Sequence, residues 1–402
     1  MHSLTVVIPA YNEEQGIAEI MERVLAVRPA LLEIGITQLE LLVVDDGSKD
    51  KTALIASKFC ENDPLVRVIT HTKNKGYGGA LKTGFSQAQG NLIGFMDADG
   101  TYPPEYYPQL CQSIQNGAEL VIGTRMKGQD SQMPKTRLLG NFFFANLLSL
   151  LGWQKISDSA SGMRVFRKEI LPRIYPLPDG LNLTPVMSTR AIYEEIKMKE
   201  VPIPYSERLG RSKLSVVRDG WLFLESIVWT VMSYNPVRVL GIIGLVALVV
   251  ALIIFLGLLI ARLSGITQIQ TWGVVALFSG LILAVGGISL FALGATFNYL
   301  ISIFYKKKIR QGLFGKPIFK KPLEHNFGWL GVLAIAGGIL IGLVSLVLGL
   351  RGWEISRLWL YLLGSAMATL IGIQLILYWI LMRVLKDITM RTINVNQDLS
   401  PD

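Results

Sequence analysis

Charge is scarce in this chain. Only 17% of its 402 residues are charged, against 51% hydrophobic, and the mean hydropathy is +0.42. Such a composition excludes an intrinsically disordered protein. Cysteine is nearly absent. Cys60 and Cys111 have no C-x-x-C spacing and no histidine nearby, so they read as small reduced core residues. The three histidines, His2, His71 and His325, are scattered, which argues against a zinc site. Acid is what the second half lacks: residues 236–402 hold 14 basic and 5 acidic side chains, whereas residues 1–235 hold 25 of each. A net charge of +9 would invite a nucleic-acid reading. The whole surplus lies in the apolar half, however, so it reads as the topology signal of a membrane protein, with no nucleic-acid partner. No Walker A sequence occurs. The opening MHSLTVVIPAYNEE has an apolar run of five residues, too short for the core of a cleavable signal peptide. The first half is therefore expected to stay in the cytoplasm.

Four segments, 240–261, 272–305, 327–350 and 358–382, contain no Asp, Glu, Lys or Arg. Each exceeds the roughly 20 residues that a bilayer-spanning helix needs. Seven basic residues (Lys306, Lys307, Lys308, Arg310, Lys316, Lys320 and Lys321) crowd the connection between the second and third segments. The positive-inside rule places that loop and both termini in the cytoplasm, at what would be a prokaryotic cytoplasmic membrane. Trp272, Trp329, Trp353, Trp359 and Trp379 stand near segment ends, where interface aromatics belong.

The first half alternates strand-length apolar runs (4–8, 39–44, 66–70, 92–96, 120–123) with helical stretches near 13–27, 51–60, 79–88 and 104–116. That order predicts an α/β, doubly wound, mostly parallel sheet with helices on both faces. Ligands in such folds sit beyond the carboxyl ends of the strands, which is where the polar motifs fall. Between the halves, Leu214, Val217, Trp221, Leu224, Val228 and Val231 recur at spacings of three and four. This predicts an amphipathic helix lying on the membrane, or one packed on the soluble domain. The expected organisation is a cytoplasmic domain over 1–213, a juxtamembrane helix region over 214–236, an all-α four-helix transmembrane domain over 237–388 and a loose tail over 389–402.

The motifs carry the chemistry. Asp97 and Asp99 end an apolar strand, one residue apart; such a pair can share a hard cation with phosphate oxygens. Asp45-Asp46-Gly47-Ser48 follows the second strand, where a carboxylate can accept from a base N–H or ribose hydroxyls. Pro9-Ala10-Tyr11-Asn12-Glu13-Glu14 follows the first, with an aromatic that could stack on a base. Lys75-Gly76-Tyr77-Gly78-Gly79 is not a dinucleotide fingerprint and reads as a close-packed turn.

In this order and spacing, VVIPAYNEE, LVVDDGSKDKT, KGYGGALKTGF and MDADGTYPPE resemble family 2 glycosyltransferases of the GT-A fold, over about residues 3–215. Ile122–Arg125, Asp158–Arg164 and Glu207–Leu214, read as IGTR, DSASGMR and ERLGRSKL, narrow the resemblance to dolichyl-phosphate mannose and polyprenyl-phosphate glucose synthases. The resemblance implies that Pro9, Tyr11, Glu13, Asp45, Asp46 and Asp97 hold the nucleotide of a UDP- or GDP-sugar. It implies Mg²⁺ or Mn²⁺ on Asp97 and Asp99, with Thr101 standing where many relatives place a Gln ligand. Arg125, Arg137, Asn141 and Arg164 would grip the phosphate of a polyprenyl phosphate acceptor. Arg208, Ser212 and Lys213 would form a loop closing over the diphosphate, Arg208 and Lys213 being counted with Asp97 and Asp99 as catalytic.

Residues 180–190 contain no acid, whereas relatives that glycosylate a hydroxyl need a general base. A phosphate acceptor is already ionised at neutral pH and needs none. There is also no Gln-x-x-Arg-Trp run of the kind found in processive polysaccharide synthases. The expectation is a membrane hexosyltransferase that inverts configuration in one displacement, with the bilayer as partner and homo-oligomerisation possible. A non-phosphorylated lipid or glycan acceptor, or a non-catalytic scaffold or lipid-translocating role, stands as the alternative.

Overall fold

The computed structural model describes residues 2–126, 133–152, 154–206, 215–266, 271–305 and 323–398. The chain divides into two compact units, Met1–Thr230 and Val231–Asp402. In the first, the chain runs β1 (His2–Ala10), α1 (Ile17–Ala26), α2 (Arg28–Glu33), β2 (Ile36–Asp45), α3 (Thr52–Asn62) and β3 (Val66–Thr70). It continues with α4 (Tyr77–Gln87), β4 (Leu92–Phe95), α5 (Tyr107–Gln115), β5 (Leu120–Thr124), α6 (Lys135–Gly152) and β6 (Arg164–Arg167). Last come α7 (Leu171–Ile174), α8 (Leu183–Tyr193), β7 (Met198–Pro202) and α9 (Val216–Tyr234), the helix in which the division between units falls.

The seven strands form one sheet in the order β3-β2-β1-β4-β6-β5-β7. Strands β3, β2, β1 and β4 are mutually parallel, β6 runs antiparallel to both its neighbours, and β7 pairs parallel with β5. This is the mostly parallel doubly wound sheet the alternation predicts. The sequence reading passes over β6 because its four residues, Arg-Val-Phe-Arg, put charge at both ends. It passes over β7, Met-Lys-Glu-Val-Pro, for the same want of an apolar run.

Successive residues of a strand face opposite sides, and β1 shows both. Leu4, Val6 and Ile8 enter the core under α1 and α5, with Ile17, Met21 and Leu110. Val7 enters the core under α4 and α8, with Phe85, Leu183 and Met187. A sheet buried on both faces needs mostly apolar strands, and over 4–10 and 39–44 β1 and β2 are so apart from Thr5 and Glu40, which bond each other at 2.5 Å. Cys111 lies in the first core with no exposed surface, and burial pushes its thiol up to about 12. Both cysteines are free.

The second unit holds α10 (Pro236–Leu263), α11 (Thr271–Tyr305), α12 (Phe327–Leu350) and α13 (Ile355–Asp398). Each is long and apolar enough to cross a membrane, and the chain is an integral membrane protein. The seven-lysine/arginine loop falls almost wholly outside the described residues. Helix α13 runs on to Asp398, past the point where the sequence suggests a loose tail.

Lipid supplies no hydrophobic drive between helices, so membrane helices pair through small residues and close backbone approach. Helices α10 and α11 meet at Gly244 and Gly287: a Cβ on Gly244 would stand 2.5 Å from the Gly287 carbonyl oxygen. Helices α12 and α13 meet in the same way at Gly331 and Gly372, where a Cβ on Gly372 would stand 2.6 Å from the Gly331 oxygen. Between the pairs, Ser289 on α11 bonds Gln374 on α13 at 2.7 Å.

Adjacent glycines give a controlled test of this packing. Gly287 faces α10, whereas nothing lies within 4 Å of a Cβ on Gly286. Gly287→Leu is expected to cost at least about 1–3 kcal/mol through overpacking. Gly286→Leu should shift stability by less than about 0.5 kcal/mol. Thermal unfolding of the purified protein in detergent compares the two.

Candidate active site

The carboxyl ends of β1, β2, β4 and β5 converge on one cavity of about 580 Å³. Strand β1 pairs with β2 on one side and β4 on the other, so the cavity lies at the switch point of the sheet. Its walls include Pro9, Tyr11, Glu13, Asp46, Asp97 and Asp99.

At the β2 end, Asp46 is 3% exposed. Its Oδ1 accepts from the Lys75 amide and faces His71 Nδ1, at 2.8 and 2.7 Å, and its Oδ2 accepts from the Gly76 amide at 2.8 Å. A carboxylate has about four acceptor positions, so Asp46 keeps room for a ligand donor. Gly76 has φ +87°, and a Cβ there would stand 2.7 Å from the Asp179 carbonyl oxygen; only glycine fits. Asp45 stands behind the wall. It is 1% exposed and accepts from the Ser48 amide at 3.3 Å, while its Oδ2 has no hydrogen-bond partner. The loop after β1 is tied to this one. Asn12 Oδ1 accepts from the Lys49 amide at 2.8 Å, and the Glu13 amide donates to Thr52 Oγ1 at 2.8 Å.

At the β4 end, the Tyr77 hydroxyl donates to Asp97 Oδ1 at 2.8 Å. Burial and the nearby Asp97 charge push that hydroxyl well up, so it remains a donor. On the other side, a Cβ on Gly162 would stand 2.8 Å from both Asp97 oxygens. Thr101 donates to Asp99 Oδ1 from its hydroxyl at 2.6 Å and its amide at 3.2 Å. At 1% exposure it does not line the cavity. Thr101 therefore orients Asp99. Asp97 and Asp99 do face the cavity, and this donor set fits a hard divalent cation that completes its shell with diphosphate oxygens and water. Among the described residues no cluster of three or more His, Cys, Asp or Glu exists that could hold a metal by itself.

Arg125, Arg137 and Asn141 line the same cavity. The Arg125 guanidinium grips buried Asp158 with two bonds of 2.8 Å. It lies 5.8 and 5.5 Å from the ring centres of Tyr102 and Tyr205. Burial opposes ionisation of Asp158, but the Arg125 charge and its hydrogen bonds outweigh that and hold the carboxyl below its usual range. Burial likewise opposes the Arg125 charge, and Asp158 more than restores it. Arg137 donates to the Tyr205 hydroxyl at 3.0 Å. Asn141 is 6% exposed, and neither its amide nitrogen nor its oxygen has a partner.

Arg164 has a different part from the one expected. It has no exposed surface and does not line the cavity. Its guanidinium bonds the carbonyls of Ser161 and Ser159 and the Ser188 hydroxyl at 2.8–3.0 Å, and burial lowers its pKa to about 10. It braces the loop before β6. Arg208, Ser212 and Lys213 lie outside the described residues.

The tertiary structure adds walls that no motif marks. Phe144 of α6 and Phe223 of α9 meet edge to face at 5.8 Å, and with Leu222 they line an apolar wing of the cavity. Arg218 also lines it. The only signal was the helical period of 214–234. Tyr205 had none, and Tyr77 was visible only as an aromatic among glycines.

Residues 5–175 match the profile described as Glycosyl transferase family 2, and residues 236–396 match one described as a domain of unknown function. The chain is 28% identical over 319 residues to the undecaprenyl-phosphate 4-deoxy-4-formamido-L-arabinose transferase of Enterobacter sp. (strain 638), covering 78% of this chain and 93% of that protein. The glucosyl-3-phosphoglycerate synthase of Mycobacterium tuberculosis is similar among solved structures. Its complex with Mn²⁺, UDP and glucosyl-3-phosphoglycerate gives a TM-score of 0.46 at 19% identity, covering 57% of this chain and 80% of that one. Its complex with Mg²⁺ and UDP gives 0.44 at 18%, covering 57% and 79%.

Asp158→Ala would leave Arg125 buried and unpaired. It is expected to cost about 3–5 kcal/mol, read as a lowered Tm at neutral pH. The folded carboxyl titrates below its usual range, so its contribution is complete above about pH 4 and fades as pH falls through the depressed value. Wild-type and variant stabilities should therefore converge in acid.

Proposed function

We propose that this chain, a membrane glycosyltransferase whose N-terminal unit carries a glycosyl transferase family 2 domain, moves a sugar, a hexose in our reading, from a UDP- or GDP-linked donor to a polyprenyl phosphate. One observation carries the reading. A single cavity brings the carboxylates Asp46, Asp97 and Asp99 together with Arg125, Arg137 and the unpartnered amide of Asn141. A buried polar group without a partner costs about 1–3 kcal/mol. Asn141 is thus built for a ligand that both accepts and is held by cations, which suits a phosphate. The relative from Enterobacter sp., named for transfer to undecaprenyl phosphate, supports the same acceptor class.

Tyr11 and Asp46 would hold the nucleoside, with Pro9 and Glu13 shaping that end of the wall. Asp97 and Asp99 would hold a divalent cation, Mg²⁺ or Mn²⁺, which when bound neutralises charge on the departing diphosphate. Arg125 and Arg137 would hold the acceptor phosphate, Arg125 through the N–H groups that Asp158 leaves free. A phosphate oxygen then attacks the anomeric carbon, the bond from that carbon to the diphosphate oxygen breaks, and nucleoside diphosphate leaves with its electron pair. One displacement inverts the anomeric configuration. No proton has to be removed from the nucleophile, because a phosphate monoester has its second ionisation near about pH 6. That agrees with the wall at Gly180, Leu181 and Thr184, which offers no carboxylate; Asp219 of α9 also lines the cavity and accepts from the Ser215 amide at 2.7 Å.

The lipid chain needs an apolar exit. Leu139 and Phe142 of α6 are 69% and 59% exposed, and Val217 and Trp221 of α9 are 84% and 68% exposed. The inner side of α9, Phe223 and Ile227, is buried, so the helix is apolar on two sides. Helix α9 ends two residues before the first membrane helix begins. We assign these exposed side chains to the bilayer surface on the cytoplasmic side, where the acceptor's phosphate lies.

A thermal-shift screen of UDP- and GDP-sugars with Mg²⁺ and Mn²⁺ should show stabilisation by one donor class, larger with metal than without. With that donor, Asp99→Asn is expected to lose at least about 100-fold in turnover in a radiolabelled assay on polyprenyl phosphate. Near-normal turnover would sink the metal assignment. Arg137→Ala should raise the acceptor KM about tenfold, with the donor KM unchanged. Efficient transfer to a non-phosphorylated lipid would overturn the acceptor class.

A further inference from the structure

We propose that Tyr77 is a positioning residue of this site, fixing the orientation of Asp97 and coupling it to the nucleoside-binding carboxylate Asp46 through the strap 75–77. The inference deepens the glycosyltransferase reading and rests on it.

Three consecutive residues span the distance between the two carboxylates. The Lys75 and Gly76 amides each donate to Asp46, at 2.8 Å, one to each oxygen. The next residue, Tyr77, donates its hydroxyl to Asp97 Oδ1 at 2.8 Å. The strap cannot lift away. Gly76 holds a positive φ against the Asp179 carbonyl, and a side chain on Gly78 would overlap the Pro178 carbonyl oxygen. The Gly79 amide donates to the Asp179 carbonyl at 3.1 Å, and Lys82 pairs with the Asp179 carboxylate at 2.5 Å. The phenol therefore approaches Asp97 from a backbone with little freedom to move.

On its other side Asp97 abuts the Gly162 backbone, where even a methyl group would crowd both carboxylate oxygens. A carboxylate pinned between a phenol donor and a backbone wall has its plane set before any ligand arrives. Partners that orient a metal-binding carboxylate typically govern 10–100-fold in metal affinity or activity (an order-of-magnitude expectation). The same strap carries the two Asp46 contacts, so the carboxylates at the nucleoside end and the diphosphate end share one mount. Their separation then matches one donor, with base and diphosphate a fixed distance apart.

The test uses the full-length protein in detergent, with UDP and GDP as probes and Mn²⁺ titrated. Tyr77→Phe removes one oxygen and keeps the ring. The expected result is an unliganded Tm within about 2 °C of wild type, and nucleotide binding without metal within about twofold. The Mn²⁺ concentration that gives half-maximal nucleotide-dependent stabilisation should rise at least about tenfold. In an Asp97→Asn background, Tyr77→Phe should add no further change, because the hydroxyl acts through that carboxylate. An unchanged Mn²⁺ requirement overturns the proposal. So does an equal loss of metal-free and metal-dependent binding, which a merely structural role would give, or a further loss in the Asp97→Asn background. Absence of any nucleotide-dependent shift in the wild type overturns the glycosyltransferase reading itself, and is thereby distinct from failure of Tyr77 alone.

Discussion

The N-terminal unit depends on one buried ion pair. Asp158 has no exposed surface and Arg125 has little. Two charges taken from water cost several kcal/mol each unless they are paired with good geometry. The structure meets that demand from three directions. Two parallel hydrogen bonds join the pair. The rings of Tyr102 and Tyr205 flank the guanidinium. Glu200 of β7 accepts from the amides of both Ser157 and Asp158. The loop so anchored runs on to Gly162, whose backbone abuts Asp97 and whose amide donates to the Tyr102 hydroxyl. Arg125 and Asp97, at the two ends of the cavity, thus brace against one loop.

Pairing also decides what each charged residue can do. Arg125 and Arg164 stand within forty residues of each other in similar motifs, yet they have different work. Arg125 faces the cavity and keeps N–H groups beyond those that Asp158 takes. Arg164 is sealed among carbonyls and spends its donors on the loop. Asp46 and Asp99 are similar carboxylates at strand ends. One is held by backbone amides of the 75–76 strap, the other by the hydroxyl and amide of its neighbour Thr101. Asn141 lines the cavity with both ends of its amide unpartnered, which leaves the cavity open to a ligand at that point.

The membrane unit obeys a different constraint. With no water to drive helices together, backbone contact at Gly244, Gly287, Gly331 and Gly372 supplements a small apolar cluster of Val237, Ala292, Tyr299, Phe327 and Met382. In the soluble unit the same residue type serves the opposite purpose, letting the backbone bend at Gly76 and approach a carboxylate at Gly162.

The sequence by itself determined the strands β1 to β5, the four membrane helices, and the convergence of Asp46, Asp97 and Asp99 on one edge of the sheet. Those follow from local quantities: the period of apolar residues, the length of uncharged runs, and the rule that loops at strand ends share a side. Strands β6 and β7 escaped it, because four or five residues that include two charges carry no apolar period. Only the tertiary structure decided the fates of residues whose meaning is their partner. Arg164 turned inward, Thr101 became an orienting donor for Asp99, and Tyr77 reached across twenty residues to Asp97. A hydrogen bond between distant side chains depends on where the backbone brings them, and no spacing along the chain records that.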